Sequence, residues 1–241
     1  MIPVEFWEKG ERPLKYLVVG FHDVGLVGII ATKHLIESLG MEEVGGIDIP
    51  SELPIAPIRD GLAKFPITIY KKDQWAVFYP EVPLPPTVLF PIAQAIMDYA
   101  ARMGVERIIS LTGLANPNRL RVKPSLHWII GDEEIEEKEK LEREGKPLKD
   151  GVLYGPTALL LKFSKTRGIP VVALLADAFP EFPDPGAAAT VLEGLSKVYG
   201  ISVDTKKLIE DAEKIKARLQ EMARQAMTVM KESGARPMMY A

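Results

Sequence analysis

The chain has no cysteine in its 241 residues, which excludes disulfides, thiolate metal sites and a cysteine nucleophile. Its three histidines, His22, His34 and His127, fall at no metal-ligand spacing, so a metal would rest on carboxylates alone. No metal and no cofactor are expected. Nowhere does the sequence reach the roughly 18 consecutive apolar residues of a membrane-spanning helix, and residues 1–13 mix Glu, Trp, Lys and Arg where a signal peptide would be apolar. A soluble, cytoplasmic protein is the expectation. A basic excess is missing too: 30 Lys and Arg against 33 Asp and Glu leave a formal charge of -3 and no general pull toward nucleic acid. Neither nucleic acid nor a membrane is expected as a partner. Amides are scarce, two Asn and four Gln beside many Glu, Lys and Arg, which matches the bias of proteins from hot-environment archaea.

With 47% hydrophobic residues the chain can bury one large core, so residues 1–241 are read as a single domain. Within it, 1–204 form the α/β core, 205–233 a long helix and 234–241 a flexible tail. Residues 14–19 are a short apolar run ending at Gly20, and 26–39 then carry apolar residues at helical spacing up to Gly40. Residues 44–49, 67–70 and 75–79 read as strands, with Lys71, Lys72 and Asp73 turning between the last two. The proline-rich stretches 50–57 and 80–91 read as loops or edges. Helices are predicted over 88–103, 157–166 and 186–199, and strands over 107–111 and 171–176. Strands alternating with helices predict a three-layer α/β/α fold with a mainly parallel sheet. Residues 132–145 are almost all Glu, Lys and Arg, with Ile135 and Leu141 the only aliphatic ones, and read as a solvated helix or flexible excursion. An acidic docking surface is the other reading of that stretch.

Asp204 is placed to cap the final helix, which runs without Gly or Pro to about Ser233, some 40 Å at 1.5 Å per residue. Leu208, Ala212, Ile215, Leu219, Met222, Ala226 and Val229 alternate spacings of four and three, a heptad seam. Such a seam packs either on the chain's own sheet or on another copy. Leu208, Ile215, Leu219, Met222 and Val229 are the candidates for an interface between copies. Beyond the helix, Ser233, Gly234 and Pro237 favour an extended exit, and the eight residues from Gly234 reach roughly 26 Å. The last three, Met239, Tyr240 and Ala241, set an apolar anchor, a phenol and a carboxylate in a row, which suits capture of a C-terminus by a pocket. A frayed end is the plainer reading.

Two constellations offer chemistry. Gly20, Gly25 and Gly28 bridge a strand and a helix where nucleotide folds hold phosphate, but the spacing is not G-x-G-x-x-G and no Gly-Lys-Ser/Thr follows. A tight turn with close helix packing is the better reading. In a parallel sheet, Gly20, Thr112 and Asp177 would end strands along one edge, so His22, Asp23, Thr112, Asn116 and Asp177 are candidates for a crevice with His22 as a base oriented by an acid. Capping of helices and loops by these polar residues is the alternative.

The order of the Gly20 to Gly28 turn, the Leu111 to Leu114 strand end, Gly155-Pro156-Thr157, the segment from Phe182 through Asp184-Pro185-Gly186 to Ala189, and a long terminal helix resembles the proteasome assembly chaperone family. The likeness spans nearly the whole chain and is to archaeal homologues of the second eukaryotic assembly chaperone. It implies a fold similar to nucleoside phosphorylases without that activity, and a non-enzymatic protein that self-associates and engages the proteasome. Met239, Tyr240 and Ala241 match the terminal signature of proteasome activators, a hydrophobic residue, tyrosine and any last residue. By that likeness the carboxylate of Ala241 would pair with a lysine between two subunits of the proteasome α ring, with Tyr240 and Met239 filling the pocket. One tail would bind weakly and several together would not, so a small homo-oligomeric ring of about four or five copies is expected. The α subunits, the assembled α ring or another chaperone of the same family are the expected partners. The rival expectation is a small-molecule enzyme of nucleoside phosphorylase or hydrolase type working from the strand-end crevice.

Overall fold

The computed structural model describes residues 4–8, 13–132 and 135–232, with side chains through residue 221 of the last helix. Along the chain run β1 (Glu5–Glu8), β2 (Tyr16–Gly20), α1 (Val27–Leu39), β3 (Glu42–Asp48), a hairpin of β4 (Ile58–Arg59) and β5 (Leu62–Ala63), then β6 (Ile67–Lys72) and β7 (Trp75–Pro80). There follow α2 (Pro86–Arg102), β8 (Arg107–Ala115), β9 (Leu126–Ile130), α3 (Lys138–Glu144), β10 (Lys146–Pro147), α4 (Pro156–Arg167), β11 (Val171–Ala178), α5 (Pro185–Tyr199) and α6 (Lys206–Glu232).

Among the described residues, nine strands share one sheet in the order β1-β3-β6-β7-β2-β8-β11-β9-β10. The four central strands, β7, β2, β8 and β11, run parallel to one another. They are buried on both faces, as near-continuous apolar runs such as Val171 to Ala176 require. Outside them the pairings β1 with β3, β3 with β6, β6 with β7 and β11 with β9 are antiparallel. The sheet is therefore mixed, with a parallel centre, rather than mainly parallel. Lys72 pairs with Trp75, so β6 and β7 join through two residues alone, a connection open only to antiparallel strands.

Helices cover both faces. Val27, Ala31 and Leu35 of α1 share a core with Val18, Ile109 and Leu174 of the sheet and with α5. On the other face, Val88, Ile92 and Ile96 of α2 and Leu160 of α4 pack on Leu17, Val19 and Ile108. Neighbouring residues of one strand divide between the two cores, as the pleat dictates. Helix α2 starts at Pro86 rather than at residue 88, because proline suits a first helical turn where its missing N–H is not needed.

The charged stretch 132–145 departs from its reading as an excursion. Leu141 is 0% exposed and Ile135 8%, both in the core shared with α5. Arg107 and Glu137, both largely buried, form an ion pair at 2.8 Å, and the Trp128 Nε1–H donates to Gly145 O at 3.2 Å. Water takes the charged face and the domain takes the two aliphatic side chains. Leu141→Ala should lower unfolding free energy by about 2–5 kcal/mol, the cost of a cavity at a closed site. Chemical denaturation checks it, and a loss below about 0.5 kcal/mol would mean that the segment is not part of the core.

Candidate functional site

Between β2 and β8 the chain departs in opposite directions, toward β3 and β7 on one side and toward β9 and β11 on the other. Open α/β sheets bind ligands above such a switch point. Here the chain itself fills that place. A single 3-10 turn, Val24–Leu26, follows β2 and lies across the strand ends, so a Cβ added at Gly113 would meet Val24 O at 2.2 Å. A Cβ at Gly28 would meet Leu111 O at 2.5 Å, which leaves glycine as the residue that lets α1 approach β8 so closely. Gly25 adopts φ 64, and its carbonyl accepts from the Asp184 N–H at 2.8 Å, joining this turn to the start of α5. The packing reading of the glycine turn is the one the geometry supports.

The five crevice candidates do not assemble as one set. Asp23 Oδ2 accepts from the Thr112 hydroxyl, which joins the turn after β2 to β8; Thr112 lies within β8, which runs on to Ala115, rather than at its end. His22 was expected to be oriented by an acid, yet Asp23 turns to Thr112, and His22 Nδ1 is sealed from solvent with no hydrogen-bond partner among the described residues. Adjacent side chains leaving a strand point to different sides, which is the physical reason. Asp177 belongs to another pair: its Oδ2 accepts from Ser125 N at 3.1 Å and its Oδ1 lies 3.6 Å from His127 Nε2. Asn116 builds a turn, accepting from Asn118 N at 2.9 Å. Polar residues at these strand ends serve loops and ladders.

Burial pushes the Asp23 carboxyl up to about 7, although the Thr112 hydroxyl and the Gly28 N–H favour its charged form. Burial also lowers the pKa of His22, which favours the neutral imidazole.

Arg119 and Asp184, absent from the sequence-based site, organise the same edge. The guanidinium Nε lies 2.7 Å from Asp184 Oδ2, its Nη2 donates to Oδ1 at 3.0 Å and its Nη1 to Val122 O at 2.8 Å. Its flat face rests on the Phe179 ring at 5.1 Å. Asp184 also caps α5, accepting from Ala187 N at 2.9 Å, and takes Phe179 N at 3.2 Å. Only the Asp-Pro-Gly helix start was visible as a motif; nothing in the spacing pointed to Arg119.

These loops form the seat of α6. Asp204 Oδ1 accepts from Lys206 N at 3.0 Å, so the helix begins where the cap was expected. Leu208, an expected interface residue, is 7% exposed in the chain's own core, because the first turn of α6 lies on α5. Ile215 lines a cleft of about 410 Å³ beside Arg119, Pro185 and Gly186. Leu219 lines an apolar groove of about 400 Å³ with Pro117, Leu120, Phe179, Pro180 and Phe182. Met222 and Val229 fall on α6 beyond the described side chains, and Met239, Tyr240 and Ala241 lie outside the described residues.

Against this architecture the PAC2 family pattern matches residues 17–223. The chain belongs to the PAC2 family. A crystal structure of Pyrococcus furiosus PbaA in a monoclinic form, described as an archaeal homolog of proteasome-assembly chaperone, is 31% identical over 96% of both chains with a TM-score of 0.82. The fold is shared with Pyrococcus furiosus PbaB, described as an archaeal proteasome activator, at 22% identity, TM-score 0.80 and coverage of 92% of this chain and 100% of that one. The uncharacterized protein MJ0106 of Methanocaldococcus jannaschii is 26% identical over 230 residues, 95% of this chain and 93% of its own. The PAC2 match thus takes in the closed strand-end turn, the Arg119–Asp184 pair and most of α6. No described helix of this PAC2 chain is long and apolar enough to cross a membrane.

Two measurements test the edge. Asp23 has a raised pKa in the folded chain, so its contribution to stability is full below the ordinary carboxyl value of 3.8 and declines as pH rises to about 7. The unfolding free energy of the wild type minus that of Asp23→Asn should fall by up to about 4 kcal/mol across that window and stay level above it. A pH-independent difference would show that the carboxyl is ionised throughout. Arg119→Ala leaves Asp184 charged and buried, and should cost about 3–5 kcal/mol in denaturant titrations.

Proposed function

We propose that this protein is a non-catalytic, self-associating proteasome-binding protein that presents Met239, Tyr240 and Ala241 to pockets of the proteasome α ring. The observation that carries the reading is the 31% identity, over 96% of both chains, to a protein described as a proteasome-assembly chaperone homolog. Two features of the chain support it. The place where an α/β enzyme would bind its substrate is taken by the turn Val24–Leu26, packed on Gly113. Helix α6 is 27 residues long, about 40 Å, which is far more than is needed to cover α5.

In this mechanism the domain is a mount and the helix a stem. The carboxylate of Ala241 pairs with a pocket lysine, Tyr240 supplies a large contact area with a hydroxyl to satisfy, and Met239 fills an apolar recess. A single tail of three residues binds weakly, since ordering it opposes a small buried area. Several tails on one assembly raise the effective concentration for each later contact.

Removing residues 239–241 should abolish capture of proteasome core particles while leaving the oligomer mass and the melting transition unchanged. His22→Ala should leave capture intact. Undiminished capture by the truncated chain would overturn the tail's role, and loss of capture with His22→Ala in a normally folded protein would return the crevice to consideration.

A further inference from the structure

Helix α5 and the first part of α6 run antiparallel, and along one flank they do not close on each other. At one end Gly186 meets Ala212, where an added Cβ would lie 3.2 Å from Ala212 Cβ, and at the other Glu193 Oε1 accepts from the Thr205 hydroxyl at 3.1 Å. Between this flank and the loop after β8 lies the cleft of about 410 Å³, a size in the range of small-molecule sites. Its middle is apolar, with Val122 and Pro124 from the loop, Ala189 from α5 and Ile209 and Ile215 from α6. Val122 and Ile209 are 44% and 45% exposed, so the apolar stretch opens to solvent.

The charges of the cleft are sorted by position. Arg119 and Asp184 neutralise each other within the fold, which leaves Lys123, Glu193, Glu213 and Lys216 as its charged side chains. Lys216 lies one turn beyond Ala212, toward the loop that carries Lys123, so both ammonium groups belong to that end. Among the described residues neither lysine has an ion-pair partner. Glu193 lies two turns along α5 from Gly186, about 10 Å toward the opposite end, and Glu213 stands on α6 between Ile209 and Lys216.

We propose that this cleft binds a short apolar peptide with free termini, its carboxylate on Lys123 and Lys216 and its ammonium toward Glu193 and Glu213. A simple anion would meet the lysines and leave the apolar middle and the glutamates unused, and a hydrocarbon would leave all four charges unused. A ligand that is dipolar at its ends and apolar between them matches every zone. Measured along the helices, Glu193 and Lys216 are about 16 Å apart at the backbone. Side chains reaching inward from both ends leave about 10 Å, the span of three extended residues at about 3.3 Å each. Charge-assisted contacts at the two termini then fix the direction of the chain. A peptide held this way touches α5, α6 and the loop after β8 together, so its binding stabilises the seat of α6.

The test uses the full chain and the tripeptide Leu-Ala-Val as probe, followed by titration calorimetry and by the melting transition. Saturable binding of one peptide per chain and a rise in Tm are expected, with affinity lower by about fivefold or more for the C-terminal amide and for the N-acetylated peptide. Lys123→Gln/Lys216→Gln should weaken binding of the free peptide to a similar extent and leave the affinity of the amide unchanged. Glu193→Gln/Glu213→Gln should likewise weaken the free peptide and leave the N-acetylated one unchanged. Without peptide both variants should melt as the wild type does, since these side chains lie outside the core. No saturation with the wild type, equal affinity for the blocked peptides, or an end-blocking loss that persists in the variant lacking its partner would each overturn the proposal. No proteasome enters these readouts, so they stand or fall apart from the tail mechanism.

Discussion

The pair of Arg119 and Asp184 is the interaction on which the working edge of this protein depends. Asp184 is 0% exposed, and a carboxylate taken out of water this far costs several kcal/mol unless every acceptor is used. It is used fully: the carboxylate takes two contacts from the guanidinium and backbone N–H groups from Phe179 and Ala187. The Asp184 N–H meanwhile donates to Gly25 O. Five pieces of chain are thereby held together: the turn after β2, the loop after β8, the loop after β11, the start of α5 and, through Gly186 against Ala212, the seat of α6. An apolar pair of equal volume would pack as well but would fix none of those backbone groups in register.

That arrangement explains why the usual ligand place of the fold is closed. Three glycines, at 20, 28 and 113, let the 3-10 turn and α1 descend onto the strand ends, and the space above β2 and β8 is consumed by backbone. Asp23 sits beneath the turn with its charge disfavoured by burial, joined to Thr112. A buried carboxyl and a neutral imidazole side by side resemble acid–base machinery until their partners are traced. They do not pair with each other: Asp23 bonds to Thr112, and His22 Nδ1 has no hydrogen-bond partner among the described residues.

The layered α/β/α plan was legible because the central strands are buried on both faces and the helices on one, so apolar runs and helical periods alternate in plain view. The antiparallel outer strands were harder to read. β1, Glu5–Glu8, is four residues at the sheet edge with a glutamate at each end and no apolar–polar alternation to count, and β9, Leu126–Ile130, is five residues between two loops. Residues 132–145 misled for a related reason: two aliphatic side chains in fourteen residues are enough to dock a segment when both are buried, but they leave no period to count. The site divided along the same line. Strand ends and glycine turns follow from local pattern and were located to within a few residues, with β8 running on past Thr112 to Ala115, whereas the partner of each polar group depends on loops distant in sequence, as with Arg119 and Asp184, 65 residues apart. The seam on α6 was visible as a repeat, yet whether a seam faces its own domain is decided by the length of α5 beneath it.

That length has a mechanical consequence for the proposed assembly. α5 has 15 residues and α6 has 27, so α6 exceeds its support by 12 residues, about 18 Å of helix. A lone helix of that size is marginal in water and stays formed only if its apolar face is covered. In the proposed self-association, contact with another copy provides that cover. Self-association and presentation of the terminal residues then become one event. A dissociated copy loses both the companions that give its tail avidity and the rigid stem that directs it, so weak single contacts are suppressed twice and multivalent engagement is favoured. A shorter α6, ending with α5, would fold equally well and would leave this coupling out.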